Sequence, residues 1–240
     1  MKKIFTLIVA MVAMTTSAMA LDNEPEEGLT FQGLFGLNLS NFRGGFLETD
    51  MKPGFNLGVR GEYMLPGCHG VFVNAGVNYT MKGAKRALIG TDGTLKARAC
   101  YVEIPVHVGY RYNFSNDFGV YTDFGPYFAI GINGKNITDY DNDATDDLKA
   151  RFFRKDDPSY GTLNNNHTFG DIQRFDFGLG FRIGAEYINH HSLTLGCDWG
   201  ITDMFTKDYR KGYKQEPLHL DTAVDPLKNF NLNITYGYRF

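Results

Sequence analysis

The chain has 240 residues, with 24 Lys and Arg against 27 Asp and Glu and a net charge of −3 when His is neutral. That balance argues against a nucleic-acid partner, which needs a basic footprint. Gly (28), Phe (20) and Tyr (14) are abundant and Cys is scarce (3), and no stretch after the first twenty residues approaches the ~20 apolar residues of a membrane helix.

The first residues read as a secretory signal. Lys2 and Lys3 form a basic start, Ile4 to Met14 is apolar apart from Thr6, and Ala18-Met19-Ala20 is a small-x-small cleavage site. Such a segment is processed off and takes no part in the fold. Removing its two lysines takes the net charge from −3 to −5. No Cys follows the cleavage site, which speaks against a lipoprotein anchor there. Residues 1–20 are therefore predicted as signal peptide, acidic Leu21–Gly28 as a flexible periplasmic leader, and 29–240 as one folded domain.

Eight stretches then alternate apolar and polar residues with the period of two that marks a strand with one greasy face. They are Thr30–Ser40, Gly54–Met64, Val71–Lys82, Ala99–Tyr112, Phe118–Ile132, Arg174–Tyr187, Ser192–Thr202 and Asn229–Phe240. The last is the plainest: Phe230, Leu232, Ile234, Tyr236, Tyr238 and Phe240 alternate with Asn229, Asn231, Asn233, Thr235, Gly237 and Arg239. A tilted strand crossing a bilayer needs about 9–11 residues, and these stretches supply them. None of the eight apolar faces carries a charge, although a Lys or Arg at mid-bilayer would cost about 2–4 kcal/mol. Pro105 and Pro126 fall inside predicted strands, where a missing donor predicts a bulge or local bend.

The connections alternate in length. Asn41–Pro53, Gly83–Arg98, Asn133–Gln173 and Asp203–Lys228 are long, whereas Pro66–Gly70, Asn113–Asp117 and Asn189–His191 are short. Outer-membrane barrels have short periplasmic turns and long extracellular loops. Tyr63, Tyr79, Tyr110, Tyr112, Tyr187 and Tyr238 sit near strand ends, as interfacial girdle residues do. The pattern thus predicts an all-β fold, an eight-stranded antiparallel up-and-down transmembrane β-barrel in the bacterial outer membrane.

The opposite strand faces would line the lumen. They bring Arg60, Arg111, Arg182 and Arg239 together with Glu62, Glu103, Asp123, Asp176, Glu186 and Asp198. Eight strands leave an interior that side chains fill, and buried charges must pair. The expectation is a salt-bridge plug and no continuous pore. An active site or proton path in the same network is the alternative, since buried carboxylates also mark functional sites.

Other motifs carry less. Gly178, Gly180 and Gly184 miss the dinucleotide spacing by one place and precede no helix. Asp139, Asp141 and Asp143 resemble the start of a calcium loop, but Ala144 replaces the Gly and Ala150 stands where Glu belongs. His107 and Glu103 share a strand face, yet four residues of strand span roughly 13 Å, too far for a catalytic contact. Cys68, Cys100 and Cys197 fall in a turn and on two separate strands, so no structural disulfide is expected. No metal or other cofactor and no catalytic residue is predicted.

Several segments in order resemble the PorT-like outer membrane β-barrel family of Bacteroidetes. They are GLNLSNFRGG at Gly36–Gly45, KPGFNLGVRGEY at Lys52–Tyr63, NYTMKGA at Asn78–Ala84, YVEIPVHVGYRY at Tyr101–Tyr112 and DFGPYFAIG at Asp123–Gly131. FDFGLGFRIGAEY at Phe175–Tyr187, GITDMF at Gly200–Phe205 and KNFNLNITYGYRF at Lys228–Phe240 follow. Cys197-Asp198-Trp199 departs from the Arg-aromatic pair common at that place. The resemblance implies an eight-stranded outer-membrane barrel without catalytic residues, in some relatives an accessory of type IX secretion. It also implies that Tyr236, Tyr238 and Phe240 form the C-terminal insertion signal. Expected partners are outer-membrane lipid or lipopolysaccharide, the barrel assembly machinery during insertion, and secretion-system components. A non-enzymatic structural, surface-interaction or secretion-accessory role is the expectation. A lipid-modifying enzyme and a small porin are the alternatives.

Overall fold

A computed structural model describes residues 27–44, 49–87, 93–140, 148–151, 153, 172–207 and 225–240. The predicted signal peptide and most of the predicted leader lie outside them. Among the described residues nine strands form: β1 (Gly28–Arg43), β2 (Asp50–Met64), β3 (Val71–Ala87), β4 (Gly93–Asn113), β5 (Phe118–Tyr140), β6 (Leu148–Arg151), β7 (Phe175–Tyr187), β8 (His191–Gly200) and β9 (Lys228–Arg239). All pairings are antiparallel. Each strand of the ring pairs with the next, β5 with β7, and β9 returns to β1 from Gln32↔Arg239 to Arg43↔Lys228. The ring closes with eight strands, as the sequence predicts, and β6 lies outside it, paired only to the upper part of β5. Closure leaves the ring with no free edge.

The wall is inverted relative to a water-soluble protein. Phe31, Phe35, Leu57, Val59, Ile104, Val108, Phe124, Ile183, Leu195 and Ile234 are exposed, while Glu62, Glu103, Asp123, Asp176 and Asp198 are buried. Period two explains both at once, because each strand sends alternate side chains outward and inward. The outer wall is the lipid-facing surface of a barrel.

One end carries tight turns. At Pro66–Gly70 the chain takes positive φ at Gly67 (69°), His69 (43°) and Gly70 (96°). The β7–β8 turn is closed by His190 N–H donating to Tyr187 O at 3.3 Å, with φ of 52° at both Ile188 and Asn189. Both lie in the left-handed region that lets the three-residue connection reverse between Tyr187 and His191. The turn end also holds most of the girdle aromatics: Tyr63, Tyr110, Tyr112, Tyr187 and Tyr238. Tyr79 sits instead toward the loop end, packed on Phe55 at 5.9 Å.

At the loop end the structure corrects the sequence reading. Gly83–Arg98, expected as a loop, is largely strand: β3 runs on to Ala87 and β4 begins at Gly93, with the Lys82↔Ala99 to Ala87↔Thr94 ladder between them. Asn41–Pro53 is mostly absorbed into β1 and β2. The start of Asn133–Gln173 continues β5 to Tyr140 and then supplies β6. The physical reason is a reversal of polarity. Above the membrane most inward positions of β3 and β4 become apolar (Ala84, Leu95, Ala97, Ala99), Arg86 excepted, and the outward ones charged (Lys85, Lys96, Arg98). A search for greasy outer faces stops where that reversal begins. A register shift at Cys100/Tyr101, opposite Ile132, marks the boundary.

Of the two outcomes predicted at Pro105 and Pro126, a bulge or a local bend, no bulge forms. Register is unchanged from Pro105↔Tyr127 to Val108↔Phe124, and Pro126↔Leu179 lies in an unbroken ladder with β7. The β4–β5 ladder skips pairs between Pro105 and Val108, so a missing donor costs local pairing and leaves register intact. The shift in β2 falls between Met51 and Asn56, around Pro53.

Candidate functional site: the lumen and its cap

The ten charged residues predicted for the lumen all reach it, and β3 adds an eleventh. They fall into three tiers. Nearest the turns, Arg111 from β4 meets Glu62 of β2 (Nη1–Oε1 2.6 Å) and Glu186 of β7 (Nε–Oε2 2.6 Å). Arg239 of β9 joins both carboxylates, Glu62 at 3.2 Å and Glu186 more closely still. These four side chains bridge four strands around the ring. Met64, Phe72 and Tyr121 pack beside them, with the Arg111 guanidinium 5.2 Å from the Phe72 ring centre.

The middle tier holds Arg60, which donates to Gln32 Oε1 at 2.7 Å and stands 3.7 Å from Asp123. His107 Nδ1 lies 2.5 Å from Asp123 Oδ1. Arg182 pairs with Asp198 at 2.6 Å, and Asn231 and Asn233 donate to the other Asp198 oxygen at 3.0 and 3.3 Å. Gly180 is what makes room here. A Cβ at that position would lie 2.9 Å from Arg182 Nη1, Asp198 Oδ1 and His107 Cε1 alike. Tyr121 and Tyr127 similarly stand opposite Gly184 and Gly178 across the β5–β7 ladder.

The upper tier centres on Lys82, which the sequence reading left out of the network. Its parity on β3 matches that of Asn74 and Asn78, so the signal was available, but the residue stands at the edge of the greasy run. Its side chain is wholly buried, with Nζ 2.6 Å from Glu103 Oε2 and 4.0 Å from Asp176 Oδ2. Tyr127 and Asn229 donate to the same Asp176 oxygen at 3.1 and 2.8 Å. The ammonium lies 4.4 Å from the Tyr127 ring centre, a cation–π contact that favours the charge where water is excluded.

Between the tiers lies one small cavity of about 40 Å³, lined by Asn56, Arg60, Glu103, Arg182, Asp198 and Asn233 among others. A water needs about 10–15 Å³ by this measure, so it has room for two or three waters and none for a solute. Above Lys82 the lining turns largely apolar, with Arg86, Asn136 and Thr138 the buried polar residues among the described β3 and β5 positions there. Phe42, Leu95, Ala97, Ala99, Tyr101, Tyr127, Ala129, Ile172, Met204, Phe205 and Leu227 form a buried apolar cluster. Gln173 N–H donates to Met204 O at 2.8 Å and Met204 N–H to Leu227 O at 2.7 Å. Asp203 Oδ1 accepts from the N–H groups of Phe205 and Leu227. The bases of two long connections are thereby folded into a cap over the barrel. At the opposite mouth a cleft of about 270 Å³ opens beside Glu62, Arg111, Arg239, His190 and Phe240.

The remaining sequence candidates separate. Tyr236, Tyr238 and Phe240 point outward on β9 and are exposed. Asp139 pairs with Lys96, and Asp141 and Asp143 lie outside the described residues. Cys68, Cys100 and Cys197 are free. Among the described residues no group of three or more His, Cys, Asp and Glu is placed to hold a metal.

The chain matches the family described as Outer membrane protein beta-barrel domain over residues 7–240. No curated protein matches it. Among solved structures, the outer membrane protein OprG from Pseudomonas aeruginosa is 13% identical with a TM-score of 0.45, over 91% of this chain and 98% of that one. A major outer membrane protein from Thermus thermophilus is 17% identical at a TM-score of 0.41, over 88% and 99%. Ail, the attachment invasion locus protein of Yersinia pestis, is 13% identical at 0.39, over 90% and 100%.

Proposed function

We propose that this chain, which belongs to the outer membrane protein beta-barrel domain family, works as a non-enzymatic anchor that displays a folded platform outside the cell. The observation that carries the reading is the double seal. A lumen filled by ion pairs lies beneath an apolar cap, and the cavity between the tiers measures only about 40 Å³. That filling supports a sealed barrel over a porin's aqueous channel or a substrate path to His107. What remains available for function is the outside. β3, β4 and β5 have 17, 21 and 23 residues, against the roughly 9–11 that cross a bilayer, so about ten residues of β4 and β5 stand clear of the membrane. With short turns periplasmic and long connections extracellular, that sheet and the capped loops face outward.

The finer reading is PorT-like: an accessory of secretion or of surface interaction, inserted by the barrel assembly machinery, with the platform as the contact surface. Crosslinking followed by pull-down from intact outer membrane tests it. Recovery of secretion components is expected, and recovery of lipid alone would argue for a purely structural barrel. Planar-bilayer recordings test the seal. No stable conductance is expected from the purified protein, and large persistent openings would favour the porin. Lipid deacylation by the purified protein that is lost in His107→Ala would favour the enzyme.

A further inference from the structure

Above the greasy belt, the outer wall of β2 to β5 carries crowded cations. Lys85 stands directly opposite Lys96 across the β3–β4 ladder, and Arg98 directly opposite Lys135 across β4–β5. Directly paired residues share a face, and like charges so placed repel. Lys52 joins them from β2. Its stem passes Gly83 so closely that a Cβ there would lie 3.2 Å from Lys52 Cδ. Half-burial lowers the pKa of the Lys52 ammonium below the ordinary lysine range, and Arg98, Lys85 and Lys96 lower it further. Among the described residues two carboxylates face the group: Asp139 pairs with Lys96, and Asp50 lies opposite Lys85. Five cations against these two carboxylates leave a surplus of positive charge. Folding alone gains nothing from such crowding, whereas an arriving anion relieves it.

Position narrows what that anion is. On the same strands, Phe55, Leu57, Ile104, Val106 and Ile130 are exposed on the lipid-facing wall below the cluster. A free solute has no use for that wall. An amphiphile with an anionic head and acyl chains satisfies both surfaces together. We propose that Lys52, Lys85, Lys96, Arg98 and Lys135 form a site for the phosphate groups of an outer-leaflet glycolipid, whose acyl chains lie along the apolar wall beneath. The site rests on the loop end facing outward and is independent of what the platform contacts.

The test uses the full-length protein in phosphatidylcholine nanodiscs doped with bisphosphorylated lipid A or with the same lipid after dephosphorylation. Bound lipid is counted by native mass spectrometry. The wild type is expected to retain the phosphorylated lipid, and the Lys52→Gln/Lys85→Gln/Arg98→Gln variant to lose about tenfold in affinity. Arg43→Gln/Lys228→Gln, on the β1–β9 wall, should bind like the wild type. Heat-modifiable gel migration confirms that each variant is folded, and the single Lys85→Gln replaces the triple variant should that one fail to fold. Equal binding by wild type and Lys-depleted protein overturns the site. So does equal binding of the dephosphorylated lipid, or an equal loss in the β1–β9 control. Displacement of lipid A by inorganic phosphate would mark a free-anion site and overturn the lipid assignment. Failure of the secretion pull-down leaves all these outcomes unaffected.

Discussion

Ile188 holds a backbone that its side chain resists. At φ 52° a β-branched residue places Cβ against the following carbonyl oxygen, a cost of roughly 1–2 kcal/mol. The hairpin keeps it because its N–H donates to Asp117 O at 2.6 Å across to the neighbouring turn. Ile188→Gly keeps that bond and removes the clash. It should stabilise the barrel by about 1 kcal/mol, read as a higher urea midpoint in detergent micelles. Lys82 and Glu103 give the opposite case. Breaking a buried pair by removing one partner costs about 3–5 kcal/mol, because the other charge is left without compensation. Glu103→Leu should therefore destabilise by about that amount. The double variant Lys82→Met/Glu103→Leu should recover most of the loss, since two apolar groups can replace a buried pair at little cost. A double variant no more stable than the single one would count against the pair as the source.

At the scale of strands, the sequence carried the ring and missed the tower. The greasy outer faces gave all eight ring strands and the inward parity of ten lumen charges, because lipid on one side and a packed interior on the other enforce strict alternation. Beyond the bilayer the same strands meet water, and the alternation reverses at Leu95, Lys96, Ala97 and Arg98. No lipid template reaches that stretch, so it read as loop. The cap escaped for another reason. Ile172, Met204 and Leu227 are scattered singly over distant connections, and only the fold brings them together. β9 was the most legible strand, and its C-terminal aromatics have a testable part. Deleting Phe240 removes a side chain that is 79% exposed and leaves the β9 ladders intact up to Arg239. The truncation should lower outer-membrane levels in cells while leaving the urea midpoint of refolded protein nearly unchanged. Normal levels in the membrane would sink the insertion role.

The whole molecule is polarised along the barrel axis. Outside the lumen, every described Lys and Arg lies at the loop end. The turn end presents Glu27, Asp117, His69, His190 and His191 in their place. The carboxylate of Glu27 accepts from Gly67 N–H at 2.9 Å and ties the chain entry to the first turn. Cysteine labelling on intact cells reads this polarity. Cys68, exposed in that turn, should resist an impermeant maleimide until the outer membrane is permeabilised, whereas a Cys placed at Asp225 should react at once. The reverse pattern would invert the molecule.

The closing contact between β1 and β9 also sets a timetable. Arg239 reaches Glu62 across 177 positions of chain, and Thr235 reaches Asn56 across 179. Contacts so remote in sequence are slow to form, because loop-closure entropy is spent before they give anything back. Until the last strand docks, Glu62 and Glu186 lack one of their two arginines, and the lumen is an open polar trough beside lipid. Docking of β9 thus completes the charge pairing, and a chain lacking that strand carries its own mark of unreadiness in the trough it cannot close.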